Sequence, residues 1–238
     1  MSRKELKQAA KDQLRGNWVW AICLSLISWL IIYLIDDIES FISTGRDTVY
    51  NQVYRFANGG VLTETISSVS PFSSIFTFVL SILAGILFWG VTYTILQFRD
   101  KGDQPNVFKG MFSAYMGDKF TTSFVTYLLF EIFLFLWTLL FIIPGFIKAY
   151  SYSMTPYIMK DLYDAGHKPT ATEAITKSRK LMNGHKTDLF VLDLSFVGWW
   201  LLSVITLGIG FIWVTPYYRQ TKANFYRNLA SDQFLKEN

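Results

Sequence analysis

The sequence has few of the residues that most often carry chemistry. Its 238 residues include one cysteine, Cys23, and two histidines, His167 and His185. A single cysteine forms no internal disulfide, and these three residues are too few for a His- or Cys-rich metal site. The sequence also lacks a Gly-rich phosphate loop, an H-E-x-x-H motif and a G-x-S-x-G motif. We therefore predict no metal, no cofactor and no catalytic residues, and we interpret Cys23 as a small apolar side chain.

Charged residues are also scarce, at 17%, whereas a soluble domain usually carries about 25%. Hydrophobic residues make up 51% of the chain and aromatic residues 18%. The apolar residues stand in blocks long enough to cross about 30 Å of hydrocarbon at about 1.5 Å per residue. This composition excludes a disordered chain and predicts an all-α integral membrane bundle.

We divide the chain into six transmembrane helices within a single membrane domain. The predicted spans are 18–35, 75–96, 120–143, 146–163, 189–207 and 209–226. Pro144 and Gly145 are predicted to turn the chain after the third span, and Gly208 and Gly210 after the fifth. The other segments are an extracellular loop at 36–74, cytoplasmic interfacial helices at 1–17, 97–119 and 164–188, and a cytoplasmic tail at 227–238.

The distribution of positive charge tests this division, because Lys and Arg are retained on the cytoplasmic side. Nineteen of the 22 Lys and Arg residues fall on one predicted side and two on the other, while Lys148 lies within a span. A single tilted span over 189–218 would place the later cations outside. The asymmetry therefore favours six spans with both termini in the cytoplasm. Because it also explains the net charge of +4, no nucleic acid is predicted as a partner.

An amphipathic segment followed by a glycine precedes three of the spans. In the first segment, Leu6, Ala10 and Leu14 form an apolar stripe before a glycine. The second and third segments end at Gly117 and Gly184. Glycine tolerates the left-handed conformation that ends a helix, so both are predicted hinges.

The hairpins that follow these hinges also resemble each other. Gly145-Phe146-Ile147 recurs as Gly210-Phe211-Ile212, and Thr155-Pro156-Tyr157 recurs as Thr215-Pro216-Tyr217. Each hairpin has an even number of spans, so successive hairpins enter the membrane from the same face. The pattern predicts parallel repeats of helical hairpins, related by an axis along the membrane normal.

We single out three of the ionisable side chains that fall within predicted spans. Glu131 lies near the middle of the third span, where a charge costs about 2.5 kcal/mol or more; it is either a functional group or a protonated, hydrogen-bonded one. Asp193 lies one turn inside the fifth span and is expected to form a structural ion pair with a base such as Lys186. Lys148 is expected to extend its ammonium to the outer interface.

The fourth and sixth predicted spans are too polar to face lipid, so their polar faces should meet the bundle interior or a wet cleft. The predicted cleft-lining residues are Tyr150, Tyr152, Thr155, Tyr217 and Tyr218. Hydrogen bonding between helices is one explanation of these residues. A groove for a lipid headgroup or another amphiphile is the alternative.

Several strings of this sequence resemble a family of membrane proteins from low-GC Gram-positive bacteria, catalogued as domain of unknown function 975. They are Ile142-Ile143-Pro144-Gly145, Tyr150-Ser151-Tyr152-Ser153-Met154-Thr155-Pro156-Tyr157, Leu181-Met182-Asn183-Gly184-His185-Lys186 and Gly208-Ile209-Gly210. The resemblance covers most of the chain outside 36–74. It implies a bacterial plasma membrane and brings no activity and no site residues.

Three classes of function follow from these observations. The first is a non-catalytic membrane-organising protein that acts through anionic lipid at the cytoplasmic face or through a membrane-protein partner. The second is a small transporter or exporter of an amphiphile, with Glu131 near the centre of an inter-helix cleft. The third is an intramembrane enzyme, which would need a nucleophile and a base that the sequence does not pair.

Overall fold

The computed structural model describes residues 2–31, 33–34 and 71–235, and every regular element in these segments is helical. The helices are α1 (Arg3–Leu14), α2 (Trp18–Ile31), α3 (Pro71–Lys101), α4 (Val107–Met111), α5 (Lys119–Leu140), α6 (Ile142–Tyr152), α7 (Thr155–Asp164), α8 (Glu173–Leu181), α9 (Lys186–Leu194), α10 (Val197–Ile205) and α11 (Phe211–Ala230). The predicted all-α fold is confirmed for these residues. Most of the predicted loop at 36–74 lies outside them, and α3 already begins at Pro71.

The chain forms two compact units. The smaller unit, Trp29–Ala84, contains the end of α2 and the beginning of α3. In its described part, Trp29 and Tyr33 stack with their ring centroids 5.6 Å apart. The larger unit comprises Met1–Ser28 and Gly85–Asn238 and contains all the other helices.

Within the described residues, three helical segments are long and apolar enough to cross a membrane: Phe78–Lys101, Lys119–Leu140 and Lys186–Ile205. A fourth crossing results if α1 and α2, which are bent by 99°, count as one span. The predicted number of six spans is therefore not confirmed.

The predicted fourth span, 146–163, consists of two helices in the structure. α6 has 11 residues and α7 has 10, fewer than the about 20 that a crossing requires. The break has a local cause: Pro156 has no N–H to donate to the carbonyl of Tyr152, so a new helix starts with the proline in its first turn. The Thr155 hydroxyl donates to that carbonyl instead, at 2.6 Å.

The amphipathic helices α1 and α8 bury their apolar faces inside the protein. Leu6, Ala10 and Leu14 are buried on α1, which packs against α11. α8 buries Ala174 and Ile175 and packs against α6 and α7. Neighbouring helices therefore cover the apolar faces of these two predicted interfacial helices.

The segment at 97–119 also differs from the predicted interfacial helix. α3 extends to Lys101, and α4 has only five residues. The carbonyl of Gly110 accepts both the Thr94 hydroxyl at 2.8 Å and the N–H of Ser113 at 3.2 Å, so the chain continues in turns after α4. Phe108 and Phe112 remain exposed beside this short helix.

Glycines in the left-handed conformation follow all three amphipathic helices. The φ angle is +82° at Gly16, +64° at Gly117 and +85° at Gly184. A Cβ at any of them would meet nothing within 4 Å. Backbone conformation, rather than lack of space, therefore favours glycine there.

The two hairpins α5–α6 and α10–α11 close in the same way. Thr138 in the first and Ser203 in the second each donate a hydroxyl to the carbonyl four residues earlier. The glycine seven residues later packs onto that residue: a Cβ on Gly145 would lie 2.8 Å from the Cα of Thr138, and one on Gly210 2.7 Å from the Cα of Ser203. The predicted similarity of the hairpins thus has an atomic counterpart in these two pairs.

The turn residues of the first hairpin differ from the prediction. Pro144 and Gly145 lie in the first turn of α6, and the chain reverses at Phe141, which is extended with φ −159° and ψ 141°. Proline fits the first turn of a helix because its missing N–H would have no partner there. In the second hairpin the turn contains Leu207 at φ +53° and Gly208 at φ +90°.

Candidate functional site

Asp193 lies at the meeting point of three helices. Its carboxylate accepts hydrogen bonds from the Tyr150 hydroxyl of α6 at 3.0 Å and from the Tyr218 hydroxyl of α11 at 2.9 Å. Sequence analysis expected an ion pair with a base such as Lys186; the structure provides two phenolic donors instead. Because the donors come from different hairpins, this aspartate–tyrosine cluster joins the α5–α6 and α10–α11 hairpins.

The other predicted cleft residues are packed and do not line an open space. Tyr152 is 3% exposed, Thr155 is 0% exposed and Tyr217 is 7% exposed. The ring of Tyr152 contacts Phe130 with centroids 5.9 Å apart, and Tyr217 contacts Phe196 at 5.1 Å. The interpretation of these three residues as cleft-lining is therefore corrected: they form a closed helix interface.

A second polar cluster centres on Arg227 near the end of α11. Its guanidinium donates to both carboxylate oxygens of Asp161, at 2.8 and 2.9 Å, and also pairs with Asp100 at the end of α3. Tyr226 donates to Asp161 at 2.6 Å. Burial opposes the charge on Arg227, but the carboxylates outweigh it and raise the pKa of Arg227 above its ordinary value. This arginine cluster joins α3, α7 and α11.

Amide side chains continue the arginine cluster to α1. The Gln13 side-chain oxygen accepts from Gln220 at 2.8 Å and from Asn224 at 3.0 Å. Asn224 in turn accepts from Arg99 at 3.2 Å. Together with the arginine cluster, these hydrogen bonds connect four helices: α1, α3, α7 and α11.

Sequence analysis did not single out Arg227, Asp161 or Asp100. A signal was present, because Lys160 and Asp161 fall at the end of the predicted span 146–163 and Asp164 follows it. Lys160 pairs with Asp164 four residues later, but the partners of Asp161, which are Tyr226 and Arg227, lie 65 and 66 residues away, and sequence spacing does not reveal them. Only the packing of α3, α7 and α11 brings them together.

Glu131 and Lys148 have different surroundings. Glu131 is half-buried on α5, with the Tyr127 hydroxyl beside it one turn earlier. The Lys148 ammonium lies 4.2 Å from the ring centroid of Trp137, and Arg179 and Lys186 lie within electrostatic range of it. Neither residue joins the two polar clusters.

An open groove of about 350 Å³ lies beside the aspartate–tyrosine cluster. Its lining, which we call the Lys186 groove, comes from α6 and α9: Phe146, Ile147, Tyr150, Lys186, Thr187 and Phe190. Phe146 and Phe190 meet edge to face at 6.2 Å. The groove combines apolar walls with one cation, a chemistry that suits an amphiphile with an anionic head.

Metal-binding groups are not assembled in the part of the chain that the structure describes: no three His, Cys, Asp or Glu side chains there lie close enough to hold an ion. His167 instead contacts the Glu173 carboxylate at 3.0 Å, and Lys177 contacts it at 3.0 Å. Burial alone would raise the pKa of Glu173. The Thr170 N–H, His167 and Lys177 outweigh burial and lower that pKa to about 2.

Comparison with known proteins identifies a family and no characterised relative. No curated protein and no solved structure matches this chain. A family model described as "Protein of unknown function (DUF975)" matches residues 1–151 and residues 139–233. These matches extend over nearly the whole chain, including both hairpins and both polar clusters. The chain therefore belongs to the DUF975 family.

Proposed function

We propose that this protein is a multi-pass membrane scaffold of the bacterial plasma membrane, without catalytic groups of its own, that acts through lipids or a membrane-protein partner. The observation that carries the proposal is the closed interface between α6–α7 and α11. Its polar side chains hydrogen-bond to one another across the hairpins. The polar groups inside the bundle therefore serve contacts between helices and do not line a substrate path. Both termini are assigned to the cytoplasm by the distribution of Lys and Arg.

The outward surface of α1 supports lipid contact. Arg3, Lys4, Lys11 and Arg15 are exposed, while the apolar face of the same helix is buried. A cation near an anionic membrane surface contributes about 1 kcal/mol. Contact with anionic lipid would therefore be electrostatic, through these side chains, and would weaken as salt concentration rises.

Cysteine accessibility tests the closed interface. Thr155→Cys and Thr221→Cys, each in a Cys23→Ser background, place small thiols at two positions that are 0% exposed. Thr176→Cys on the exposed side of α8 is the matched control. In native membrane vesicles, a small water-soluble methanethiosulfonate should modify the control rapidly and leave both buried thiols unmodified. Rapid modification of either buried thiol would show an opening cleft and contradict the scaffold.

An exporter of amphiphiles is the second candidate, and the Lys186 groove favours it. Glu131 would then take up and release protons within the bundle. The test uses proteoliposomes with a fluorescent anionic phospholipid analogue and an imposed proton gradient. An exporter loses gradient-driven flux in Glu131→Gln, whereas the scaffold shows no gradient-driven flux with either residue.

A further inference from the structure

The two hairpins of the larger unit end in apolar tips that are largely exposed. The first tip comprises residues 132–147 and the second residues 197–213. Each contains ten exposed large hydrophobic side chains, and neither contains a charged residue. An apolar surface of this size on a protein contacts lipid or another protein.

Polar contacts mark the base of the first tip. The Ser178 hydroxyl of α8 donates to the carbonyl of Ser151 at 2.8 Å and accepts from the Met154 N–H at 3.2 Å. The exposed cations Arg179 and Lys180 follow directly. From Ser151 to the turn at Phe141 the chain advances ten residues, or about 15 Å along the helix.

Contacts from α1 mark the base of the second tip in the same way. The Lys7 ammonium donates to the carbonyl of Ser195 at 3.0 Å and lies 4.2 Å above the ring of Phe196. The Lys11 ammonium lies 5.5 Å from the ring of Tyr217. From Ser195 to Leu207 the chain advances twelve residues, or about 18 Å.

Both tips are thus about half as long as the ~30 Å hydrocarbon core of a bilayer. The bases carry Lys and Arg side chains that belong in water or at lipid headgroups and not in hydrocarbon. α5 is long enough to cross, and so is the apolar segment Lys186–Ile205 that leads into the second tip. In the half of α5 that precedes the tip, however, Ser123 and Thr126 are buried and Tyr163 donates to the carbonyl of Lys119. These contacts hold one side of that end of α5 against the protein.

Lys148 gives an independent constraint on depth. It lies only seven residues, about 10 Å, from the turn at Phe141, yet its neighbours Ile147 and Tyr150 line the same groove as Lys186, and Ser178, next to Arg179, bonds to Ser151. If the first tip reached the far surface, Arg179 and Lys186 would lie well inside the hydrocarbon. A tip that stops near the bilayer centre leaves all three cations at or near the headgroups of one leaflet.

Leu207 shows that the second tip is built to present apolar surface. Its side chain is 94% exposed, and its φ of +53° is a conformation that leucine adopts at a cost of about 1–2 kcal/mol. A soluble turn would place glycine or asparagine there. A leucine at the apex of a hairpin gains free energy only where an apolar solvent receives it.

We propose that the α5–α6 and α10–α11 hairpins are re-entrant and insert their tips into the acyl chains of one leaflet without crossing the bilayer. The proposal rests on the membrane location proposed above. It leaves the charge asymmetry unchanged, because the turns of both hairpins lack Lys and Arg and a re-entrant hairpin also returns to its own side. It places the Lys186 groove, α1 and the end of α8 at the headgroup level of that leaflet.

A scan of nitroxide depth tests the inference in reconstituted bilayers. Single cysteines replace exposed residues of the second tip in the full-length Cys23→Ser protein: Val197→Cys, Leu201→Cys, Ile205→Cys and Leu207→Cys. Collision rates with oxygen and with a water-soluble nickel complex give the depth of each label. Phe141→Cys at the apex of the first tip is the matched position in the other hairpin.

A re-entrant hairpin requires depth to increase steadily from Val197 to Leu207, by about 6 Å per four residues, and Phe141 to match Leu207. A depth that is greatest near Leu201, with nickel-accessible labels at Leu207 and Phe141, would establish crossing hairpins and overturn the inference alone. Nickel access at all five positions would overturn the membrane location as well.

Discussion

The bases and the tips of the two hairpins differ in which side chains they bury and which they expose. At the bases, amphipathic helices, two aspartates and an arginine are enclosed by protein, and each of these three charged side chains has a partner. At the tips, twenty large apolar side chains face outward without any charge among them. The comparison separates two sources of free energy: polar contacts and packing stabilise the base in any solvent, whereas the tips gain free energy only from the apolar phase around them.

The strongest test of the base removes the charge of Arg227. Arg227→Met leaves Asp161 buried at 1% side-chain exposure without its bidentate partner. We expect the free energy of unfolding to fall by about 3–5 kcal/mol, because one unpaired charge remains in the interior. Chemical denaturation of the purified protein in a mild detergent, followed by tryptophan fluorescence, measures the loss.

Arg99→Met is the matched control for Arg227→Met. Arg99 pairs with the same Asp100, but its side chain is 26% exposed. Its loss should cost about 1 kcal/mol or less. Equal losses in the two variants would mean that the arginine cluster contributes no more to stability than a surface ion pair.

The glycines that close the two hairpins offer a test of the repeat. A Cβ at Gly145 or Gly210 would lie under 3 Å from backbone and side-chain atoms of Thr138 or Ser203. Gly145→Ala and Gly210→Ala should each destabilise the protein by about 1–3 kcal/mol, because the hairpin must open to admit a methyl group. The same chemical denaturation in mild detergent measures the loss. Gly198→Ala is the control, because a Cβ at Gly198 meets nothing within 4 Å. A loss in one hairpin only would show that the two are not equivalent.

Glu173 provides a test that depends on pH. Its folded-state pKa of about 2 lies below the ordinary value of 4.5, so its contribution is complete above pH 4.5 and is lost as the pH falls towards 2. After a discount for the partial exposure of Glu173, we expect this contribution to the free energy of unfolding to be about 1–2 kcal/mol. Glu173→Gln should therefore be less stable than the native protein at pH 7, and the two should converge near pH 2. A difference that stays constant over this range would assign the effect to packing.

Several local features of this fold follow from sequence alone, and the long-range ones do not. Leu6, Ala10 and Leu14 are spaced for one helical face, and that face is buried on α1. The glycine after each amphipathic helix is readable because few other residues tolerate a positive φ. What covers each face is a different question: apolar residues are equally suited to lipid and to a protein core, so periodicity did not reveal that α11 covers α1.

The candidate site shows the same limit. Tyr150, Tyr218 and Asp193 all stood out as polar residues in apolar surroundings, but the sequence does not encode which would meet. Their association depends on how α6, α9 and α11 cross. As a result, Asp193 accepts from the hydroxyls of two distant tyrosines and not from the nearby base Lys186. The depth of the hairpins was hidden for a related reason, because a 20-residue apolar segment has the same hydropathy whether lipid or protein surrounds its first half.

Leu207→Asn has the smallest expected effect on folding and addresses the tips directly. Asparagine adopts positive φ more readily than leucine, and the Leu207 side chain contacts little protein, so backbone conformation and protein contacts should favour asparagine by less than about 1 kcal/mol. In a bilayer the same change places an amide among acyl chains, at a cost of about 1–3 kcal/mol. The measurement compares unfolding of both proteins in detergent and in nanodiscs, with Asn183→Leu at the exposed base as the control. We expect Leu207→Asn to lose more stability in the nanodisc than in detergent, because a micelle deforms readily and lets water reach the amide, whereas a bilayer holds it among acyl chains.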